Sequence, residues 1–394
     1  MTRVFAACLL ERAGSFCVPC PHKERIFCME PRNQPSASDR RACLRWVLGT
    51  LLLTVTLLCL FAAPTAYIDP LFHYHAPLEQ YQYPIHDERY QNDGITRHFD
   101  YDSIITGTSM TENFKTSEAN ALFDANFIKV PFAGGYFREI DQNLRRAYAS
   151  GHDLRYVIRG LDPEQLFFPP DFQNPGFSFP GYLYNDDFFD DLHYLLNKAI
   201  LFDYTLAVPA FTRAGSRTPT FDEYANWSSR YSYGASSAMR QDAISDAPPP
   251  ETAMTEEDRA LLEENVRQNV AALAQEHPET TFYYFFSPFS IIYWGRLYNN
   301  GAIQRQVEAE QAVIELLVDL PNVRLYSFNN NFDLICGLDN YKDYEHYGEW
   351  VNSWILEQFQ SDEYRLTRDN YRDYLEEIRR FYTTYDYPSL NLLK

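Results

Sequence analysis

Past residue 59 the chain has a single cysteine, Cys336. A body with one thiol cannot close an internal disulfide, so its stability must come from packing. The other six cysteines, Cys8, Cys17, Cys20, Cys28, Cys43 and Cys59, precede or lie within the one long apolar run. Cys17 and Cys20 have the spacing of half a zinc knuckle, but a second pair at suitable spacing is missing, and no metal site is expected. Basic charge is also scarce: 34 Lys and Arg stand against 54 Asp and Glu, a net −20. The deficit is uneven. Residues 1–45 hold eight basic and four acidic side chains, and the rest of the chain holds 26 and 50. So acidic a body repels phosphate backbones, which argues against a nucleic-acid partner. Internal repeats are missing, which excludes solenoids and propellers.

What the chain has in quantity is aromatic: 30 Tyr and 29 Phe, enough to bury a large core. It also has one charge-free run, Trp46 to Ala63, of 18 residues. At ~1.5 Å per residue such a helix just spans a bilayer core of ~30 Å. Arg40, Arg41 and Arg45 precede it and Pro64 follows it. The positive-inside rule therefore predicts a single-pass anchor over 46–66, a cytoplasmic and disordered tail over 1–45, and an extracytoplasmic body. A cleaved signal peptide is the alternative. Cleavage after Ala66 would put Pro64 at −3, and Leu58 before Cys59 is too large for a lipoprotein signal. Met29 offers an alternative translation start that would leave out residues 1–28.

Residues 67–97 show little periodicity and read as a stalk. Strands and helices then alternate: strand 101–107, helix 109–123, strand 127–132, helix 137–150, strand 154–161. A Pro- and aromatic-rich stretch, about 163–250, interrupts them and reads as an insertion with one helix at 186–202. Alternation resumes with a helix over 255–277 that opens on a Thr255/Asp258 capping box, then strand 280–289, helix 303–320, strand 323–328 and a helix from 346. This order predicts an α/β fold. It is expected to be a three-layer α/β/α sandwich with a five-stranded parallel, flavodoxin-like sheet over 98–394, behind one N-terminal transmembrane helix.

Ligands in such sheets bind at the carboxyl ends of the strands. Three segments fall there: Gly107-Thr108-Ser109, Ala133-Gly134-Gly135, and Asp339 to Trp350. A serine becomes a nucleophile when an imidazole takes its proton and a carboxylate orients that imidazole. Asp343 and His346 are three apart, which at a helix start brings the two side chains together. The Ser109 N–H and a glycine N–H at 134 or 135 are candidate oxyanion donors. The bland readings stand beside these. Ser109 with Glu112 three residues later is a helix-capping pattern. His346 alone is a surface histidine, Gly134-Gly135 a turn, and His73, His75, His86 and His98 structural. The pairs Asp186/Asp187 and Asp190/Asp191 cap and solvate a helix.

Serine after the first strand, glycine after the second and Asp-x-x-His near the C-terminus together resemble the SGNH/GDSL hydrolase superfamily. The nearest branch is membrane-anchored and extracytoplasmic, similar to the teichoic acid D-alanyl transfer and alginate O-acetylation proteins. The resemblance covers roughly residues 98–360. It implies Ser109 as nucleophile, His346 as base and Asp343 as its orienter. It implies ester or acyl-transfer chemistry on an envelope glycan or acyl carrier, no cofactor, and a multi-spanning membrane acyltransferase as partner. Two positions depart from the pattern. Thr108 stands where the family has Asp, and Asp162 stands near where it has an oxyanion-hole Asn. Asn113, one turn beyond Ser109, is the substitute donor. A non-catalytic envelope-polysaccharide scaffold on the same fold is the alternative function.

Overall fold

The computed structural model describes residues 36–177, 179–240 and 243–393. Most of the tail expected to be disordered, including Cys17 and Cys20, lies outside the described residues. Helix Ala37–Ile68 is long and apolar enough to cross a membrane, and it starts well before the expected anchor. The chain divides into two units after Leu57, and the second, Leu58–Lys394, holds the sheet and the candidate site.

Residues 67–97 are not a stalk. Asp69 takes a left-handed backbone, φ 49°, and its carboxylate accepts the N–H groups of His73, Tyr74 and His75 at 2.9, 2.7 and 3.0 Å. Helix Glu88–His98 follows, capped by Asp87 and buried along Gln91, Asn92, Asp93 and Ile95. Its inner face is polar, so no apolar stripe marked it in the sequence. Backbone carbonyls satisfy that face instead: Asn92 Nδ2 donates to Pro131 O at 2.5 Å, and Gln91 Nε2 to Pro84 O at 3.0 Å.

The sheet has six strands rather than five: β1 Ser103–Gly107, β2 Phe127–Pro131, β3 Tyr156–Leu161, β4 Thr281–Phe286, β5 Val323–Ser327 and β6 Arg365–Leu366. Their order is β2-β1-β3-β4-β5-β6. The first five are parallel, with Ser103 beside Phe127 and Tyr156, and Tyr156 beside Thr281. The sixth runs antiparallel to β5. Two residues are too few to leave a period-2 signal, which is why β6 was missed. The five parallel strands, the edge strand β2 included, are buried almost throughout, as parallel strands covered on both faces must be.

The helices pack in two sets. Thr116–Phe123 lies against Glu349–Gln358, while Glu88–His98, Phe137–Ala149, Glu256–Val266, Ile303–Leu317 and Tyr371–Thr384 form a continuous second set. The capping box forms as expected, Asp258 N donating to Thr255 Oγ1 at 3.0 Å. The chain leaves β1 for β2 on one side and returns across it to β3 on the other. That reversal opens a crevice at the carboxyl ends of β1 and β3, the place where a ligand is held without blocking a crossover. In the insertion, the expected helix 186–202 is broken into Leu192–Leu195 and a π-helical turn, Ile200–Thr205. Buried tyrosine hydroxyls tie the insertion down: Tyr184 to Arg89 O at 2.9 Å and Tyr224 to Asn92 Oδ1 at 2.7 Å.

Candidate active site

β1 ends at Gly107 with φ 152°, where an added Cβ would stand 2.6 Å from Thr111 Cγ2. Only glycine fits, and the chain can turn sharply. The next residue, Thr108, is the N-cap, its Oγ1 accepting from Met110 N at 3.4 Å. The capping role expected of Ser109 therefore belongs to Thr108. A single 3-10 turn, Ser109–Thr111, follows, and the regular helix begins only at Thr116. The Ser109 side chain is left to face another segment: its Oγ lies 2.8 Å from His346 Nε2.

His346 is carried by a tight hairpin rather than by a helix start, since the helix begins at Glu349. Tyr341 and Tyr347 bridge in antiparallel fashion, and Lys342 N donates to His346 O at 3.0 Å. Inside the turn the Asp343 carboxylate accepts the N–H groups of Glu345 and His346 at 3.1 and 2.8 Å. Both its oxygens lie 3.0 Å from His346 Nδ1. The three-residue spacing works through this side-chain turn, not through helical stacking. Burial opposes ionisation of Asp343, but the His346 hydrogen bond and charge outweigh it and hold the carboxyl well below its usual range. An Nδ1–H directed at Asp343 leaves Nε2 with a lone pair for the Ser109 proton. The Trp227 ring packs nearly perpendicular to the imidazole, centroids 5.5 Å apart.

The third segment supplies backbone. Gly134 sits at φ 57°, packed under Phe177 and Asn174. Its carbonyl is held by Asn174 Nδ2 at 2.6 Å, and the Gly135 carbonyl by Gln165 Nε2 at 2.5 Å. The Gly135 N–H is already engaged with Phe132 O at 2.7 Å. Neither the Ser109 nor the Gly134 N–H meets an acceptor among the described residues, and both residues line one cleft of about 420 Å³. Asn113 does not join them. It is buried, its Oδ1 accepts Trp227 N at 3.1 Å, and it is not part of the cleft wall.

Asp162 lies at the end of β3 as expected, with its carboxylate buried in the same cleft. Thr108 Oγ1 donates to one of its oxygens and Ser287 Oγ to the other. Burial raises its pKa, and those two hydrogen bonds partly offset the rise. Thr108 and Asp162 are thus structural partners: the hydroxyl at 108 satisfies the carboxylate at 162. Two further acids line the cleft, Glu164 and Glu345. Burial raises Glu164. Burial, then the charges of Glu164 and Asp343, push Glu345 up to about 8. Sequence reading missed Ser287, Glu164, Glu345 and Trp227. Glu345 stood in plain view inside Asp343-Tyr-Glu-His346 and Ser287 at the end of β4; nothing marked Trp227. Asp343, Glu345 and His346 also bring ligand atoms within 4.8 Å of one another, though a cation there would have to displace the Nδ1 proton.

No family model and no curated protein matches the sequence. Among solved structures the chain is similar to a Streptococcus pneumonia protein provisionally described as a platelet activating factor. Identity is 11% and the TM-score 0.35, over 73% of this chain and 90% of that one.

Proposed function

We propose that the chain is a membrane-anchored, extracytoplasmic serine esterase or O-acyltransferase of SGNH kind, acting on an envelope glycan or acyl carrier. The observation that carries the reading is one chain of hydrogen bonds, Ser109 Oγ to His346 Nε2 at 2.8 Å and His346 Nδ1 to Asp343 at 3.0 Å. Ser109 Oγ attacks the acyl carbonyl and His346 Nε2 takes the serine proton. The carbonyl oxygen gains the charge and accepts from the Ser109 and Gly134 N–H groups. Collapse breaks the ester C–O bond, the leaving alkoxide receives the proton from His346, and the acyl group stays on Ser109. Water or a sugar hydroxyl then gives a proton to His346 and attacks the acyl carbon; the bond to Ser109 Oγ breaks, and His346 returns the proton to Ser109 Oγ. Water gives hydrolysis; the sugar gives transfer. The arginines before Trp46 support a cytoplasmic tail over 1–45, an anchor at 46–66 and catalysis outside.

The test is labelling by a fluorophosphonate together with turnover of p-nitrophenyl acetate. Both are expected in the wild-type chain, and both should vanish in Ser109→Ala. A folded wild-type chain that neither labels nor turns over sinks the reading. One observation favours a second reading, a glycan-binding scaffold with no turnover: the acid-lined cleft, with Asp162 where the family supplies an amide donor. In that case glycan binding persists unchanged in Ser109→Ala.

A further inference from the structure

Among the described residues of the second unit, five exposed large apolar side chains fall within one stretch of 19 residues, 188–206. Phe188, Phe189, Leu192, Phe202 and Leu206 are 70, 77, 50, 61 and 46% exposed. Phe202 and Leu206 flank Thr205, whose hydroxyl lies 3.0 Å from that of Thr65. Thr65 is fully buried and belongs to the last turn of helix Ala37–Ile68. Phe202 and Leu206 are thus three residues and one residue from a side chain that meets the last turn of the apolar helix.

Hydrogen bonds tie this stretch to the residues that follow the helix. Asp191 lies between Phe189 and Leu192, and it accepts from Tyr74 Oη at 3.2 Å and pairs with His73 Nε2 at 2.9 Å. Tyr194 Oη donates to Asp69 Oδ1 at 2.7 Å. Tyr204 Oη donates to Asp87 Oδ2 at 2.7 Å. Asp69 in turn organises the turn that ends the helix. Each exposed ring therefore has a hydrogen-bonded neighbour that fixes it to residues 65–87, directly after the apolar helix. Exposing five such side chains in water is costly, and the expected helix is interrupted between the two groups of them, at residues 196–197.

We infer that this stretch is a membrane-surface contact: the rings at 188, 189 and 202 and the leucines at 192 and 206 enter the bilayer interface beside the anchor. The inference rests on the anchor reading given above. Continuity with the apolar helix selects lipid over a protein partner. The charge pattern selects the mode of binding. Asp186, Asp187, Asp190 and Asp203 accompany a single lysine, Lys198, so attachment is by apolar insertion and not by attraction to anionic headgroups.

The test uses the full chain in phosphatidylcholine nanodiscs with a radiolabelled lipid. A p-benzoylphenylalanine photoprobe is placed in turn at 53, 189, 202 and 392. Leu53 lies in the apolar helix, and Leu392 is 86% exposed on the body and serves as the blank. Lipid adducts at 53, 189 and 202 are expected to exceed the blank at least fivefold, with no increase when phosphatidylserine is added. Adducts at 53 but only blank levels at 189 and 202 overturn the contact and leave the anchor standing. Adducts at 189 and 202 to protein, a second copy included, also overturn it. No adduct at 53 overturns the anchor and the contact together.

Discussion

The two walls of the Ser109 cleft are built from the same side chain put to opposite uses. On one wall Asp343 meets an imidazole and two backbone N–H groups, and stays ionised. On the other, burial pushes Asp162 toward the neutral form, and burial together with neighbouring carboxylates pushes Glu164 and Glu345 the same way. Asp343 and Glu345 are two residues apart on the same hairpin. What separates them is the rest of their surroundings: His346 Nδ1 lies 3.0 Å from Asp343 and 3.4 Å from Glu345, but Asp343 also meets Lys342 and two backbone N–H groups, whereas Glu345 is buried beside other carboxylates. Position in the chain does not assign an acid its role; the charges it meets do.

Breaking the first wall should have the largest effect. Ser109→Ala or His346→Ala is expected to lower ester turnover by about 10⁴-fold or more, with the thermal midpoint little changed. Asp343→Asn should lower it by roughly 10³-fold, since Asn can hold the turn but favours the wrong imidazole tautomer. Steady-state kinetics with p-nitrophenyl acetate reads both. Were Asp343→Asn to match wild type, Asp343 would only shape the hairpin.

Changes to the second wall should be smaller and of opposite sign. Asp162→Asn keeps a hydrogen-bonding group between Thr108 and Ser287 and removes negative charge from the oxyanion's surroundings. Turnover of a neutral ester is expected to rise about tenfold. A fall would mean that the carboxylate itself takes part. Glu345→Gln is the gentlest change, and pH reveals it. The folded chain keeps the Glu345 proton up to about 8, while the unfolded chain loses it near 4.5. Between those values the folded state binds more protons, so this group's share of stability is full below pH 4.5 and is lost as pH rises through 8. The melting temperature of Glu345→Gln should therefore overtake that of wild type as pH increases from 5 to 9. Parallel curves would show that Glu345 titrates normally.

Much of this was legible beforehand. The first five strands gave themselves away as short apolar runs between helical periods, because both faces of each strand are buried. Ser109 and His346 were legible through their positions at strand ends. Helix Glu88–His98 was not, because its buried face is polar and is satisfied by carbonyls distant in the chain. Asn113 was placed wrongly for a related reason. One turn from Ser109 is close in sequence, but the break at Glu112 points its amide to Trp227.

The chain's own pattern determined the apolar helix, the acidic body, the alternation of strands and helices, and which residue types could form a serine–histidine–aspartate chain. These depend on local periodicity and composition, which a linear string carries. Only the tertiary structure decided the rest: that Thr108 and Ser287 share out the oxygens of Asp162, that Gly134 and not Gly135 keeps a free N–H, and that residues 67–97 and 188–206 meet beside the end of the helix. Those outcomes depend on which partner reaches a buried polar group first, across separations of up to 130 residues or more, and no local pattern encodes that.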